Sequence, residues 1–558
     1  MRAKHLSYVS AGGKGLLGKT VGAMLRETAH KHPKVDAIVN VAEKTRWSYK
    51  ELLERSEAMA EGLVALGLPK QTRVGIFAPN CKDWTLTQCA AAMADLILVN
   101  VNPASQETEL EYSLNKVQVD TLIMPSHNRH DNYIGMIEKL APEIQDSKIG
   151  ELNSARLPHL RRVILTDNKH HKGMMRLEEL MNLKSDEYIT RTQNINFEDP
   201  YNIQFTSGTT GKPKAATLSH HNAINNGFYC GEILKYTHHD RVCIPVPVYH
   251  CLGMIAGNLA CISHGSTMIY PDAGFNPVAT MDTVENEKCT SIYGVPTMYI
   301  AYLREQQRKK RNIDSLRTGV VAGSVCTPEL MKKMVDQLHL PHVTNCYGMT
   351  ETSPVSFQLH PEADFEKRIS TVGVVHPHGE AKIIDRNGQT VERGEIGELC
   401  TRGYFVMKYY WGDQKATNEA IDADGWMHTG DLSSMDEDGY VKIVGRSKDL
   451  IIWGGENIYP AEVENFLQTH PDIEDVAVFG IPDERFGEQV CAWIKMKPDK
   501  APVTHETLAQ FCRGKIAKYK VPKIIKVVDS FPLTISGKIM KYVMKLDQQK
   551  ELELKHKE

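Results

Sequence analysis

Along the first half of the chain, apolar positions fall alternately at helical spacing and in short unbroken runs. "SYKELLERSEAMAEGLVALGL", residues 48–68, opens with Ser48 and Glu51 three apart, the spacing of a capping box. Apolar residues then recur at helical period up to Gly67, which predicts one amphipathic helix. "RVGIFAPN" follows as a buried strand, a helix starts near Asp83, and "LILVNVNP" is a second strand. Similar runs stand at "DTLIMP", "RRVILT", "YNIQFTS", "RVCIPVPV", "SIYGVP" and "TGVVAG", with helices between several of them. In "TPELMKKMVDQL", Thr327 is placed as N-cap and Pro328 in the first turn. Strands alternating with helices predict an α/β fold of large, mostly parallel sheets, with ligands at the carboxyl ends of strands.

Between about 371 and 445 glycines and short strands replace helical periods, which predicts a β-rich subdomain. Past "VGRSKD" a small α+β unit begins, with helices at "AEVENFLQTH" and "HETLAQFCRGK" and strands at "VAVFGI", "VCAWIKM" and "IIKVVD". A charged helical tail ends the chain. The expected division is a large domain over residues 1–445 and a small one over residues 446–558.

A length of 558 residues exceeds one compact core, in keeping with that division. The formal net charge of −3 gives no general attraction to nucleic acid or anionic membrane, and no apolar run is long enough to span a bilayer. Twelve cysteines without a C-x-x-C pair suggest neither a zinc site nor a disulfide framework, and reduced thiols in an intracellular compartment are expected. The histidine pairs His170-His171, His220-His221 and His238-His239 lack H-E-x-x-H spacing and read as surface or loop residues. The first residues carry Arg2, Lys4, Lys14, Lys19 and Arg26 with no acid before Glu27, a basic leader-like composition.

The chemistry starts at "TSGTTGKPK", Thr206 to Lys214. Two glycines and four hydroxyls in its first six residues can turn N–H and O–H donors toward an anion. The nucleotide-loop pattern G-x-x-x-x-G-K-[ST] fails here, because Pro213 stands where its Ser/Thr should be. That proline lacks an N–H, so the loop does not run on into a helix at that point.

Four further stretches add functional groups. "CYGMTE" brings Tyr347 for stacking on a base, Thr350 as a phosphate donor and Glu351 as an oxygen ligand for Mg2+. In "GWMHTGDL", Asp431 can accept from two neighbouring hydroxyls, as a ribose requires. "GRSKDLIIWGGENIYP" carries Arg446, Lys448, Gly454 and Gly455, and "PLTISGKIMK" presents Lys538 after Ser536-Gly537. Any one of these alone is also compatible with an ordinary turn or solvated face.

As an ordered set they resemble the acyl-adenylate-forming, AMP-binding superfamily, over nearly the whole chain from about Val21 to Met544. "YNIQFTSGTTGKPKAATLSHHN", "YHCLGM" and "GRSKDLIIWGGENIYPAEVE…PLTISGKIMK" are most similar to its medium-chain acyl-CoA synthetases. The resemblance implies ATP, Mg2+ and CoA as cofactors and a carboxylic acid as substrate. It implies that Thr206, Ser207, Gly208, Thr209, Thr210, Gly211, Lys212, Pro213 and Lys214 wrap the β- and γ-phosphates of ATP. Tyr347 then lies on adenine, Thr350 near the α-phosphate, Glu351 on Mg2+, and Asp431 with Arg446 at the ribose. Lys538 bridges the acid and the α-phosphate during adenylation. Lys448 is the hinge of a mobile C-terminal domain, which afterwards turns Gly454 and Gly455 toward the pantetheine of CoA. His250 borders the acyl pocket, as do Gly294 to Met298, and Ala322 to Val325 border adenine. A mitochondrial location is implied as well, with the cytoplasm as the alternative.

The implied reaction is physically coherent. Attack of a carboxylate on the α-phosphate releases pyrophosphate and leaves AMP as a good leaving group for CoA thiolate. No protein nucleophile is needed, and no G-x-S-x-G elbow occurs in the chain. Two positions depart from the family pattern. Ala215 replaces the glycine of P-K-G, which at positive φ would cost about 1 kcal/mol, and Tyr409 replaces the glycine of M-x-G-Y-W. An aryl or branched acid as substrate, or a non-catalytic nucleotide- or acyl-binding role, stay open as alternatives.

Overall fold

The computed structural model describes residues 6–128, 131–167, 169–206, 213–323, 326–453, 456–483, 486–513, 515–533 and 539–555. Its contacts divide the chain into two compact units. One comprises Ser10–Glu380 and Thr401–Met427; the other gathers Met1–Val9, Ala381–Cys400 and His428–Glu558.

The larger unit is built on two sheets. In the eight-stranded sheet, Met175–Arg176, Arg162–Leu165, Thr121–Met124, Arg73–Ile76, Ile97–Asn100 and Pro200–Thr206 lie side by side, with Lys214–Ser219 and Tyr409–Tyr410 following. The strands up to Pro200–Thr206 are parallel and the last two antiparallel. In the nine-stranded sheet, His342–Gly348, Thr318–Ala322, Ser291–Gly294, Arg241–Cys243, Thr267–Tyr270 and Asp36–Asn40 form a parallel centre flanked by antiparallel edges. These central strands are the apolar runs of the sequence, as sheets covered on both faces demand.

The helix signals hold. Ser48 and Glu51 form a reciprocal capping box at the start of Tyr49–Ala65, and Gly67 takes a left-handed φ of 72° just past its end. The Thr327 hydroxyl accepts from Leu330 N–H at the start of Pro328–Gln337. Lys82–Met93 is buried on nearly every side, so its polar groups need internal partners. Thr85 pairs with the Tyr270 hydroxyl at 2.7 Å, and Asn258 donates to Gln88 at 3.0 Å.

The smaller unit holds a five-stranded sheet whose strands lie wholly or mostly within it: Tyr8–Ser10, Gly379–Ile384, Gly397–Gly403, Met427–Met435 and Val441–Arg446. A second sheet joins Glu456–Ile458, Ile451–Trp453, Gly487–Met496 and Ile473–Asp483, with Ile524–Val527 pairing on Gly487–Met496. Helices Pro460–Leu467, His505–Cys512 and Lys541–Lys555 accompany it, and a core of Ile451, Val463, Leu467, Val478, Val490 and Leu508 fills it. The β-rich stretch of the sequence is therefore real, but its members divide: Tyr409–Tyr410 leaves to become the edge of the eight-stranded sheet. Among the described residues no helix is long and apolar enough to cross a membrane. All twelve cysteines are buried free thiols.

One expectation is corrected. His170, His238 and His239 are exposed, but His220 is buried as the first residue of the helix His220–Ile233. Its ring stacks on Tyr201 at 4.8 Å, and its Nδ1 accepts from Val21 N–H at 3.3 Å. A capping serine, Ser219, starts the helix one residue earlier and turns this histidine inward. Burial lowers its pKa to about 3. The folded chain thus holds it neutral while the unfolded chain protonates it near 6.5. Its stabilising contribution is complete above pH 6.5 and declines as pH falls toward 3, by about 1.4 kcal/mol per pH unit. Urea midpoints of His220→Gln between pH 6 and 4 are expected to fall less steeply with acid than those of the parent.

Candidate functional site

Thr206 ends one strand and Lys214 begins the next, and the two residues are paired in antiparallel register. The strands on either side of the motif are thus antiparallel neighbours, and the chain runs on from Lys214 as strand, not helix. Ser207, Gly208, Thr209, Thr210, Gly211 and Lys212 lie outside the described residues. Pro213 is anchored through its carbonyl, which accepts from the Tyr112 hydroxyl at 3.0 Å. Ala215 sits in regular strand opposite Phe205, buried among apolar side chains and not at positive φ. The conformational cost anticipated for replacing glycine there does not arise.

Tyr347 is half-buried near the end of His342–Gly348, its ring edge-on to Phe357 at 5.9 Å. Beyond it the 3-10 turn Thr350–Thr352 carries Glu351, only 6% exposed. A buried carboxylate must be hydrogen-bonded, and the Tyr410 hydroxyl donates to its Oε1 at 2.7 Å. Burial, with the nearby Glu351 charge, pushes the Tyr410 phenol well above its usual range. The ammonium of Lys214 lies 4.9 Å from the centre of the same ring. Tyr410 thus links Lys214, at the end of the glycine-rich motif, to Glu351, a role that no sequence motif assigns to it. Its only signal is the edge strand: Tyr409 and Tyr410 pair with Thr217 and Ala216. Tyr409 is accommodated half-buried in that strand, where either face accepts a side chain.

The segment holding His250 is fixed by buried side-chain amides on and near the parallel strands. Asn100 donates to the Tyr249 carbonyl at 2.9 Å, Asn202 to Asn100 at 2.8 Å, and Gln204 to Asn202 at 2.9 Å. Asn80 binds both the Val246 carbonyl and the Val248 N–H. Half-buried His250 lies against Tyr249, ring centres 4.2 Å apart, and the chain then enters a π-helical run, Leu252–Leu259. Burial and the nearby Glu351 charge push the Cys251 thiol up, and the Thr350 hydroxyl is its hydrogen-bond partner. Thr206, Lys214, His250, Tyr347, Thr350, Glu351 and Tyr410 all belong to the larger unit.

Asp431 and Arg446 belong to the other unit and face each other across antiparallel strands. Arg446 Nε lies 3.0 Å from Asp431 Oδ1, with the aspartate side chain 9% exposed and the arginine 44%. Such a half-exposed pair contributes at most about 1 kcal/mol to stability, so its value lies in aiming the carboxylate. The strand leading to it is fixed: the Thr429 hydroxyl donates to the Leu399 carbonyl and accepts from Asp431 N–H. Lys448 is exposed on the turn Ser447–Asp449. Gly454, Gly455 and Lys538 lie outside the described residues.

The chain matches the AMP-binding enzyme family over residues 25–411 and the AMP-binding enzyme C-terminal domain over residues 462–538. It is 43% identical to the medium-chain acyl-CoA ligase ACSF2, mitochondrial, of Danio rerio, over 97% of this chain and 90% of that one. The putative acyl-CoA synthetase YngI of Bacillus subtilis is also 43% identical, over 95% of this chain and 97% of its own. Among solved structures, ATP-bound MatB from Rhodopseudomonas palustris is similar with a TM-score of 0.82 and 26% identity, covering 95% of this chain and 99% of that one.

Proposed function

The chain belongs to the AMP-binding enzyme family, an AMP-forming acyl-CoA ligase by its relatives, and we propose that its acid is a medium-chain fatty acid. The reaction runs in two steps: acid and ATP give acyl-AMP and pyrophosphate, then CoA thiolate displaces AMP to give acyl-CoA. The observation that carries the chain length is the 43% identity to the zebrafish medium-chain ligase. The phosphate chemistry is supported by the contacts from Lys214 through the Tyr410 ring to the buried carboxylate of Glu351.

Two anions must meet in the first step, so their repulsion has to be offset by groups already in place. In the proposal, donors of Thr206 to Lys214 hold the β- and γ-phosphates, Thr350 donates to the α-phosphate, and Lys538 spans phosphate and acid. The donor set also fits Mg2+: Glu351 is an oxygen ligand whose orientation Tyr410 fixes. Glu351 would hold the ion, which supplies charge neutralisation on the departing pyrophosphate. Tyr347 lies on adenine, and Asp431 accepts from the ribose hydroxyls with Arg446 beside it. His250 and the π-helical run border the acyl chain. Residues 446–558 form the mobile domain, hinged at Lys448, with Gly454 and Gly455 meeting the pantetheine. A mitochondrial location, carried by the zebrafish relative's name, completes the proposal; fractionation of cells expressing the tagged chain tests it.

The direct test is pyrophosphate release from ATP and Mg2+ over a ladder of fatty acids from short to long, with and without CoA. The expected result is a maximum at mid-length and steady turnover only with CoA. A maximum with benzoate-type or branched acids transfers the reading to those substrates. ATP binding without release for any acid overturns the catalytic reading.

A further inference from the structure

We propose that Glu398, Cys400 and His428 form a site for a thiophilic divalent cation of the zinc class, distinct from the Glu351 carboxylate. Glu398 and Cys400 are two apart on the strand Gly397–Gly403 and so project from one face of it. His428 is the second residue of Met427–Met435, the neighbouring strand of the same sheet. One nitrogen, one sulfur and one carboxylate oxygen, drawn from these three residues, all lie within 4.8 Å of one another.

Two of the three separations match those of ligands around one ion. Bonds of about 2.3 Å to sulfur and about 2.0–2.1 Å to nitrogen and oxygen, at a tetrahedral angle, separate sulfur from nitrogen by about 3.6 Å and nitrogen from oxygen by about 3.3 Å. Cys400 Sγ stands 3.6 Å from His428 Nδ1, and that nitrogen stands 3.3 Å from Glu398 Oε2. The carboxylate is oriented from outside the trio, since its Oε1 accepts from Gly430 N–H at 3.1 Å, the kind of supporting bond that metal ligands use.

Access and selectivity follow from the same geometry. The Cys400 side chain is buried, while those of Glu398 and His428 are each 30% exposed, so solvent reaches the rim and supplies a fourth ligand. A thiolate and an imidazole suit Zn2+ and Cd2+ and not Mg2+, which takes oxygen ligands. Binding displaces the Cys400 thiol proton and the proton on His428 Nδ1 to solvent and leaves the charge of the bound ion shared with thiolate and carboxylate.

The test is titration of chelator-treated full-length protein with Cd2+ alone, following the ultraviolet thiolate-to-metal charge-transfer band. One equivalent is expected in the parent, none in Cys400→Ser, and an affinity at least about tenfold weaker in His428→Gln. The second variant keeps the thiol and so holds the test open if the serine variant does not fold. X-ray absorption on the zinc-loaded parent is expected to show one sulfur with light-atom neighbours. A band of parental strength in both variants, or no band in the parent, overturns the proposal.

Discussion

Glu351→Gln is expected to lower the rate of ATP–pyrophosphate exchange by about 10²- to 10³-fold, equivalent to ~2.7–4 kcal/mol of transition-state stabilisation. The substitution is nearly isosteric, and the amide oxygen can still accept from Tyr410. What disappears is the negative charge that would hold Mg2+ against the phosphates. The deficit should therefore shrink as Mg2+ is raised, which a loss of packing would not do. Tyr410→Phe gives the graded comparison. It leaves the carboxylate charged but removes its donor, at about 1–3 kcal/mol of stability for an acceptor left buried. Its exchange rate should fall far less than that of the glutamine variant. Parental Mg2+ dependence in Glu351→Gln would remove Glu351 from the metal role.

Lys538→Ala is expected to abolish adenylation while sparing the second step. Exchange should drop by about 10²-fold or more, the scale for deleting one preorganised charge at a developing anion. Supplied with synthetic acyl-AMP and CoA, the same variant should still form acyl-CoA at a rate near the parent's. The split is diagnostic, because a misfolded protein loses both steps. Exchange at the parental rate would sink the assignment of this lysine.

Much of the architecture was legible because its signals are local. The Ser48 capping box, the Thr327 cap and the apolar runs of the parallel strands each depend on residues within one element. Family resemblance rested on ordered motifs, and the family match over residues 25–411 bears it out. What stayed hidden is non-local. Nothing in the spacing of residues 351 and 410 announces that a phenol meets a carboxylate, since an edge strand joined across two hundred residues brings them together. The Asn100–Asn202–Gln204 ladder is equally invisible, because amides read as polar surface until two parallel strands bury them. His220 departs from the surface expectation for the converse reason: partners distant in sequence, the Tyr201 ring and Val21 N–H, hold its ring inside. The smaller compact unit is likewise non-local, being gathered from three separate pieces of chain.

The burial of every cysteine has a practical consequence. A native thiol such as that of Cys89, Cys326 or Cys346, held at a pKa of about 12 by desolvation, offers almost no thiolate to an alkylating reagent. Labelling of the folded chain must then wait for a structural opening, so its kinetics time those openings. Cys400, Cys491 and Cys512 report on the smaller unit and the remaining cysteines on the larger one. Mass spectrometry of pulse-alkylated protein would thus read two opening clocks from one unmodified chain, and show which of them ATP slows.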